Sequence, residues 1–183
     1  MFIIWRPILI QAMGPRLYSA MQKTGGKPIL HFSAHGNQDG IQLTNGKFVT
    51  WEVLRNLIVP INRALNGVLL VSLSSCESFS ACRMAMTENE DVPFFALVAN
   101  TGKPKWNDSA VAFVTFYHHI FKGNLIPVAV NAMKVASGDN NFQSILGVQA
   151  RHVWLEHIQR MRQQEAQERI KKMIEEYREN LKR

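Results

Sequence analysis

Three short apolar runs, each bounded by turn residues, dominate the hydrophobic pattern of the chain. They cover residues 28–34, 68–74 and 92–99. Continuous apolar runs of this length are typical of strands that are buried on both faces. A helical pattern separates the first two runs, and a strand–helix–strand unit makes its two strands parallel with a right-handed crossover. The pattern therefore predicts a mainly parallel central sheet.

Helical periodicity surrounds these runs. It begins after Pro7 and stops at Gly25-Gly26, and it resumes after Thr50, which we predict to be the N-cap of the helix between the first two strands. The other predicted elements are a hairpin at Asn45-Gly46, helices over residues 76–86, 107–121 (capped by Asn107-Asp108-Ser109) and 127–137, and a last strand over residues 142–149.

The composition changes at Arg151. From there to Arg183 the chain is rich in Glu, Gln, Lys and Arg and contains neither Gly nor Pro. This favours one long helix, amphipathic in its last part, and divides the chain into residues 1–150 and 151–183. Two interpretations of the helix are open: a solvated helix that packs by one face, and a coiled-coil or partner-docking arm.

Bulk composition excludes several classes of protein. The 183 residues suit one domain, and contents of 46% hydrophobic and 19% charged residues are typical of globular proteins. The net charge is +7, but no Lys/Arg block is interleaved with aromatics, so we expect no specific nucleic-acid partner. The apolar start of the chain is interrupted by Arg6 and Pro7, which disfavours a signal peptide. No run reaches the roughly 18 apolar residues that a membrane span requires. We therefore expect a cytoplasmic protein without a membrane partner.

The two cysteines, Cys76 and Cys82, are poorly placed to form a disulfide with each other, which favours a reducing compartment. No CxxC pair is present, so we expect no metal site. A nucleotide- or phosphate-binding domain is also disfavoured, because neither GxGxxG nor GxxxxGK[ST] follows a predicted strand. The chain is thus expected to use no cofactor.

Reactive residues stand at the ends of the first two predicted strands. His35-Gly36 follows the first strand, and Cys76 follows the second. Since parallel strands bring their carboxyl ends to one edge, where open α/β sheets place their active sites, we expect the imidazole and the thiol to be neighbours. A thiol beside a histidine base is a nucleophile pair. The backbone N–H groups of Gly36 and Cys76 would form the oxyanion hole, and a helix beginning after Cys76 would favour the thiolate.

Each residue alone has an ordinary interpretation. A cysteine at a strand end is often a small buried hydrophobe, and a histidine before glycine is often a turn residue. Their order on consecutive parallel strands favours the catalytic interpretation. The remaining candidates are interpreted structurally: His31 as the partner of a buried polar group, His118 and His119 as helix-packing residues, and Cys82 and Trp51 as core.

Several segments carry a family resemblance. The segments Ile29–Gly36 (ILHFSAHG), Gly40–Leu43 (GIQL) and Leu73–Ser78 (LSSCES) resemble the CHAT domain of the caspase–separase–gingipain group of cysteine peptidases, and the likeness extends over about residues 28–150. It implies a caspase-like three-layer α/β/α sandwich with a mainly parallel central sheet, which the long C-terminal helix predicted from composition would follow. It also implies that His35 is the general base and Cys76 the nucleophile of an endopeptidase that acts through a thioester on a protein or peptide substrate, with no cofactor.

The resemblance has further implications. Asp39, Glu77 and Asp108 lie near the predicted site and would favour a basic substrate side chain, although each could equally cap a turn or helix. Relatives act in prokaryotic defence or cell death and are joined to sensor regions, so a regulatory or sensor protein is an expected partner. The family has an additional strand and helix before its histidine strand, whereas only 27 residues precede that strand here. The alternative is a catalytically silent CHAT-like interaction module that works through its C-terminal helix.

Overall fold

The computed structural model describes residues 7–26 and 28–180, and it is an α/β structure with a long C-terminal helix. Its helices are α1 (Pro7–Thr24), α2 (Trp51–Ala64), α3 (Trp106–Phe121), α4 (Ile126–Ser137) and α5 (Gly147–Asn180), with a 3-10 helix over Ser78–Ala85. Its strands are β1 (Ile29–Ser33), β2 (His35–Asn37), β3 (Gly40–Gln42), β4 (Phe48–Thr50), β5 (Leu70–Ser74), β6 (Ala96–Asn100) and β7 (Phe142–Leu146).

The central sheet is mixed but mostly parallel. Its strand order is β1-β5-β6-β7, in which β1, β5 and β6 run parallel and β7 runs antiparallel to β6. The expected parallel arrangement of the first three runs is thus confirmed. Within residues 7–26 and 28–180, β1 is an edge strand. A small antiparallel sheet, β2-β3-β4, connects β1 to α2 and contains the hairpin predicted at Asn45-Gly46.

Helices cover both faces of the central sheet. Alternate strand residues point to opposite faces: Leu30, Val71 and Leu73 belong to the core formed with α2 and the 3-10 helix, whereas Leu70 and Val98 belong to the core formed with α3 and α4. Burial on both faces is the physical reason for the continuous apolar runs in the sequence. The arrangement is compatible with a three-layer sandwich.

Helix α2 and its following loop fix the crossover from β1 to β5. The Thr50 hydroxyl accepts a hydrogen bond from the Val53 N–H at 3.3 Å, which confirms the predicted N-cap. Near the other end, the buried Asn62 amide donates to the Val92 carbonyl at 2.8 Å and accepts from the Leu69 N–H at 3.0 Å. One side chain therefore ties α2 to the segments that lead into β5 and β6.

Two predicted boundaries are wrong. The N-cap of α3 is Lys105, so Asn107-Asp108-Ser109 lie in the first turn of the helix and do not cap it. The last strand ends at Leu146, and α5 begins at Gly147, four residues before the compositional change at Arg151. A Cβ atom at Gly147 would lie 2.2 Å from the Phe94 carbonyl oxygen, so only glycine allows the helix to begin this close to the segment that contains Phe94.

The C-terminal part of α5 projects into solvent. From residue 159 onward, every side chain whose burial is described is exposed, including Ile170, Met173, Ile174 and Tyr177. The predicted single long helix is confirmed. None of the helices in the described part of the chain is long and apolar enough to cross a membrane.

The Asn62 amide is expected to contribute strongly to stability. Replacing it in Asn62→Ala leaves the buried Leu69 N–H and Val92 carbonyl without partners, which should lower the free energy of unfolding by about 2–4 kcal/mol. Asn56→Ala, at an exposed position of the same helix, should change it by less than about 0.5 kcal/mol. Urea denaturation measures both, and equal effects of the two substitutions would contradict the assignment.

Candidate active site

His35 and Cys76 follow two paired strands that end at the same level. Strands β1 and β5 pair in parallel, and their last pair of residues is Ser33 with Ser74. His35 is the first residue of β2, two positions after Ser33, and Cys76 lies in a turn two positions after Ser74. Because paired strands are separated by about 4.8 Å, both residues lie at the carboxyl edge of the sheet, as the sequence predicts.

The backbone of Gly36 lies directly against the residue that precedes Cys76. A Cβ atom added at Gly36 would lie 3.1 Å from both Cβ and Oγ of Ser75, and also 3.1 Å from the Gly40 carbonyl oxygen. Glycine permits this approach because it has no side chain. The contact brings the His35-Gly36 segment against the Ser75-Cys76 segment.

The turn that carries Cys76 is held by hydrogen bonds of Ser78, of the end of β6 and of the segment after β6. The buried Ser78 hydroxyl donates to the Ser75 carbonyl at 2.7 Å and accepts from the Asn100 N–H at 3.4 Å. The Glu77 N–H donates to the Gly102 carbonyl at 2.6 Å, and Glu77 has a φ of +53°. A left-handed conformation at a residue other than glycine is strained, and such strain clusters at functional sites. Cys76 therefore lies on a tight turn between a strand and a helix.

The helix after Cys76 differs from the prediction. It is a 3-10 helix that begins at Ser78, not an α-helix that begins at Cys76. Serine hydroxyls explain the difference, because they compete for the carbonyls at the start of the helix: Ser78 bonds to the Ser75 carbonyl and Ser80 bonds to the Glu77 carbonyl. The expected contribution of an α-helix N-terminus to the thiolate is therefore not supported.

Trp51 forms hydrogen bonds with the turn of the hairpin that carries His35. Its indole N–H lies 2.8 Å from the Gln38 carbonyl and 3.1 Å from the Ser80 hydroxyl, and its backbone N–H donates to the Asp39 carbonyl at 3.1 Å. Sequence reasoning assigned Trp51 to the core and missed this role, although a buried indole N–H generally needs a partner. Trp51 thus joins the β2–β3 turn to the 3-10 helix that follows Cys76.

The two cysteines have different environments. Cys76 is half-buried, whereas Cys82 is buried, and that burial raises the pKa of its thiol. His35 is exposed.

In the described part of the chain, the backbone N–H of Cys76 donates to no protein acceptor, as a free oxyanion-hole donor requires. The second predicted donor belongs to Gly36, whose backbone lies against Ser75, the residue before Cys76.

The three acidic candidates have different surroundings. The Asp39 Oδ1 atom lies 3.8 Å from a guanidinium nitrogen of Arg83, and the Glu77 Oε1 atom lies 3.7 Å from Lys103 Nζ. Asp108 lies in the first turn of α3. Two of the carboxylates thus already have a cation of this chain beside them, and a shared acidic pocket stays a prediction.

His31 lies on the α3 side of the sheet. Its Nδ1 is hydrogen-bonded to the Tyr117 hydroxyl at 2.5 Å, and its Nε2 to the Ser74 hydroxyl at 3.2 Å, so its partners are two half-buried polar groups. Burial lowers the pKa of His31 to about 4 and raises the pKa of Tyr117 to about 12. Both groups are therefore neutral near pH 7. His118, by contrast, is exposed and does not pack on the sheet.

No family model and no curated protein matches the chain. Among residues 7–26 and 28–180, no cluster of three or more His, Cys, Asp or Glu side chains could hold a metal ion.

The Gly36 contact predicts that Gly36→Ala disturbs the site. The new methyl group would lie 3.1 Å from Ser75 and from the Gly40 carbonyl oxygen, a tight contact that requires these neighbours to shift, so we expect a loss of about 1–3 kcal/mol in the free energy of unfolding. Gly102→Ala is a matched control, because its methyl group would meet no atom closer than 3.4 Å. Thermal or urea denaturation compares them, and a Gly36→Ala protein as stable as the control would contradict the contact.

The lowered pKa of His31 predicts that the stability of the protein depends on pH. Its pKa is about 4 in the folded protein and about 6.5 when unfolded, so the unfolded chain binds more protons between these values and stability falls as the pH drops from 7 to 4. The loss from this group is about 3 kcal/mol at 1.36 kcal/mol per pKa unit. His31→Asn should flatten the curve of unfolding free energy against pH, whereas His118→Asn, at an exposed position, should leave it unchanged. Identical curves for the two variants would count against the buried, neutral imidazole.

Proposed function

We propose that the protein is a caspase-like cysteine endopeptidase in which His35 is the general base and Cys76 is the nucleophile. The observation that carries the proposal is the shared end of β1 and β5 at Ser33 and Ser74, together with the contact of Gly36 with Ser75. This arrangement supports a thiol and an imidazole at one edge of a mostly parallel sheet, where α/β proteins place their active sites.

The proposed reaction follows from these groups. His35 takes the proton of the Cys76 thiol, and the sulfur attacks the carbonyl carbon of the scissile peptide bond. The backbone N–H of Cys76, with that of Gly36 beside it, stabilises the oxyanion. His35 then returns the proton to the departing amine, which leaves a thioester on Cys76. A water molecule, deprotonated by His35, hydrolyses the thioester and restores the thiol. The reaction as proposed uses no metal or organic cofactor.

The accessibility of the two groups supports this assignment. Cys76 is half-buried and His35 is exposed, so a peptide can reach both, whereas Cys82 is buried in the core. The strained Glu77 and the hydrogen-bonded turn hold the backbone that carries Cys76 in a defined position, which lowers the cost of orienting the thiol for attack.

The caspase-like fold belongs to the same proposal. Parallel β1, β5 and β6 with helices on both faces support it, and so does the position of His35 and Cys76 after consecutive strands. A cellular role as a prokaryotic defence or cell-death effector rests on the CHAT resemblance of the sequence alone, and a regulatory or sensor partner belongs to that part of the proposal.

A second candidate function is a non-catalytic interaction module. Ile170, Met173, Ile174 and Tyr177 recur at i, i+3, i+4 and i+7 on α5, so they form one stripe along the helix. Their side chains are 46–66% exposed. An unpaired apolar stripe on a projecting helix favours docking to a partner helix.

Replacing the nucleophile tests the proposal. Cys76→Ala should reduce kcat/KM on a peptide library by about a thousandfold or more, because the thioester route is lost. It should also abolish labelling by an acyloxymethyl ketone probe. Cys82→Ala, the matched control, should leave cleavage and labelling unchanged, since its thiol is buried in the core.

The outcomes separate the two candidate functions. Labelling of Cys76 without cleavage in the wild type would indicate a competent nucleophile that needs a partner for activity. A wild-type protein with neither cleavage nor labelling would contradict the peptidase and favour the interaction module.

A further inference from the structure

A cavity lies between β1 and α3. Its volume is about 500 Å³, within the range of about 300–1,000 Å³ that is usual for ligand sites. One wall is formed by Ile29, His31 and Ser33, which share a face of β1 because they alternate along the strand. The opposite wall is the face of α3 that carries Ala110, Phe113 and Tyr117 among others.

One end of the cavity reaches the edge of the sheet that carries the proposed dyad. Ser33 and Ser74 both line the cavity and are paired in register, each two positions before His35 or Cys76. Two residues of chain span at most about 7 Å, which is comparable to the length of a large side chain. A peptide whose carbonyl carbon lies at the Cys76 sulfur can therefore place an adjacent side chain in the cavity.

The cavity is apolar and carries no charged residue. Its large members are Ile29, Trp106, Phe113, Val114 and Phe121, and no Asp, Glu, Lys or Arg is among the described residues that line it. Trp106 and Phe121 are 75% and 79% exposed. Large apolar side chains left open to solvent beside a concave site are characteristic of ligand binding.

The polar groups in the cavity do not supply a charge. His31 is hydrogen-bonded to Tyr117 and to Ser74, and the pKa values of His31 and Tyr117 are displaced so that both are neutral near pH 7. A lysine or aspartate side chain would enter without a counter-charge, and burial of an unpaired charge is costly. An apolar side chain gains free energy from its transfer out of water.

We propose that this cavity is the substrate pocket of the peptidase and that it selects a large uncharged side chain, such as Phe, Tyr, Leu or Met, next to the scissile bond. This inference rests on the proposed function. It differs from the basic preference expected from the sequence, because Asp39 and Glu77 lie beside Arg83 and Lys103 and none of the three acidic candidates lines this cavity.

Peptides with one varied residue test the preference. The substrates are acetyl-Ala-Ala-X-aminocoumarin amides with Phe, Leu, Lys or Asp at X. We expect kcat/KM for Phe and Leu to exceed that for Lys and Asp at least about tenfold. Ala110→Asp, which adds a carboxylate to the lining at an exposed position, should lower the Phe value at least about tenfold. Val111→Asp, next to it but outside the lining, should keep the Phe value within about twofold.

Binding to the Cys76→Ala protein separates the pocket from the reaction. Titration with acetyl-Ala-Ala-Phe-amide, followed by the fluorescence of Trp106, should saturate, and the response should disappear in Trp106→Phe. The corresponding Lys peptide should bind at least about tenfold more weakly. Adding Ala110→Asp to Cys76→Ala should abolish binding of the Phe peptide, and circular dichroism would establish that each variant is folded.

The outcomes distinguish the two claims. Cleavage that is equal or faster after Lys would overturn the apolar pocket and keep the peptidase. Saturable, Ala110-dependent binding of the Phe peptide, with neither cleavage nor probe labelling of the wild type, would support the pocket and overturn the peptidase. Absence of cleavage, labelling and binding would overturn both.

Discussion

The parallel pairing of β1 with β5 is the constraint on which the rest of the structure depends. Its register makes Ser33 and Ser74 the last pair of residues, so the segments that follow β1 and β5 leave the sheet side by side. Hydrophobic burial on both faces fixes this register, because a slip by one residue would turn core side chains such as Leu30 and Leu73 to the opposite face. The same packing that stabilises the fold therefore determines which residues meet at its carboxyl edge.

Polar contacts convert this coarse placement into a site. The Trp51 indole holds the turn of the His35 hairpin, and the Ser78 hydroxyl holds the turn of Cys76. Both sets of hydrogen bonds involve the 3-10 helix, because Ser78 is its first residue and the Trp51 indole also lies beside the Ser80 hydroxyl. Packing thus sets the position of the strands, whereas a few hydrogen bonds set the position of the reactive groups.

Much of the fold could be predicted from the sequence, because burial leaves a periodic trace. The parallel strands, the Thr50 cap and the positions of His35 and Cys76 just after the paired ends of β1 and β5 all follow from local pattern. The start of α5 at Gly147 could not be predicted, because it depends on the Phe94 carbonyl more than fifty residues away. The apolar cavity was missed for a similar reason: its walls come from β1 and α3, and His31 and Tyr117 meet only in the folded chain.

The central claim is that His35 activates Cys76, and the rate of alkylation tests it most directly. In a Cys82→Ala background, the reaction of Cys76 with iodoacetamide at pH 6.5 should slow by about tenfold or more when His35 is replaced by Asn, because the imidazole no longer takes the thiol proton. His118→Asn, at an exposed site on α3, should leave the rate unchanged. Equal rates in the protein with His35 and in the His35→Asn variant would contradict the dyad.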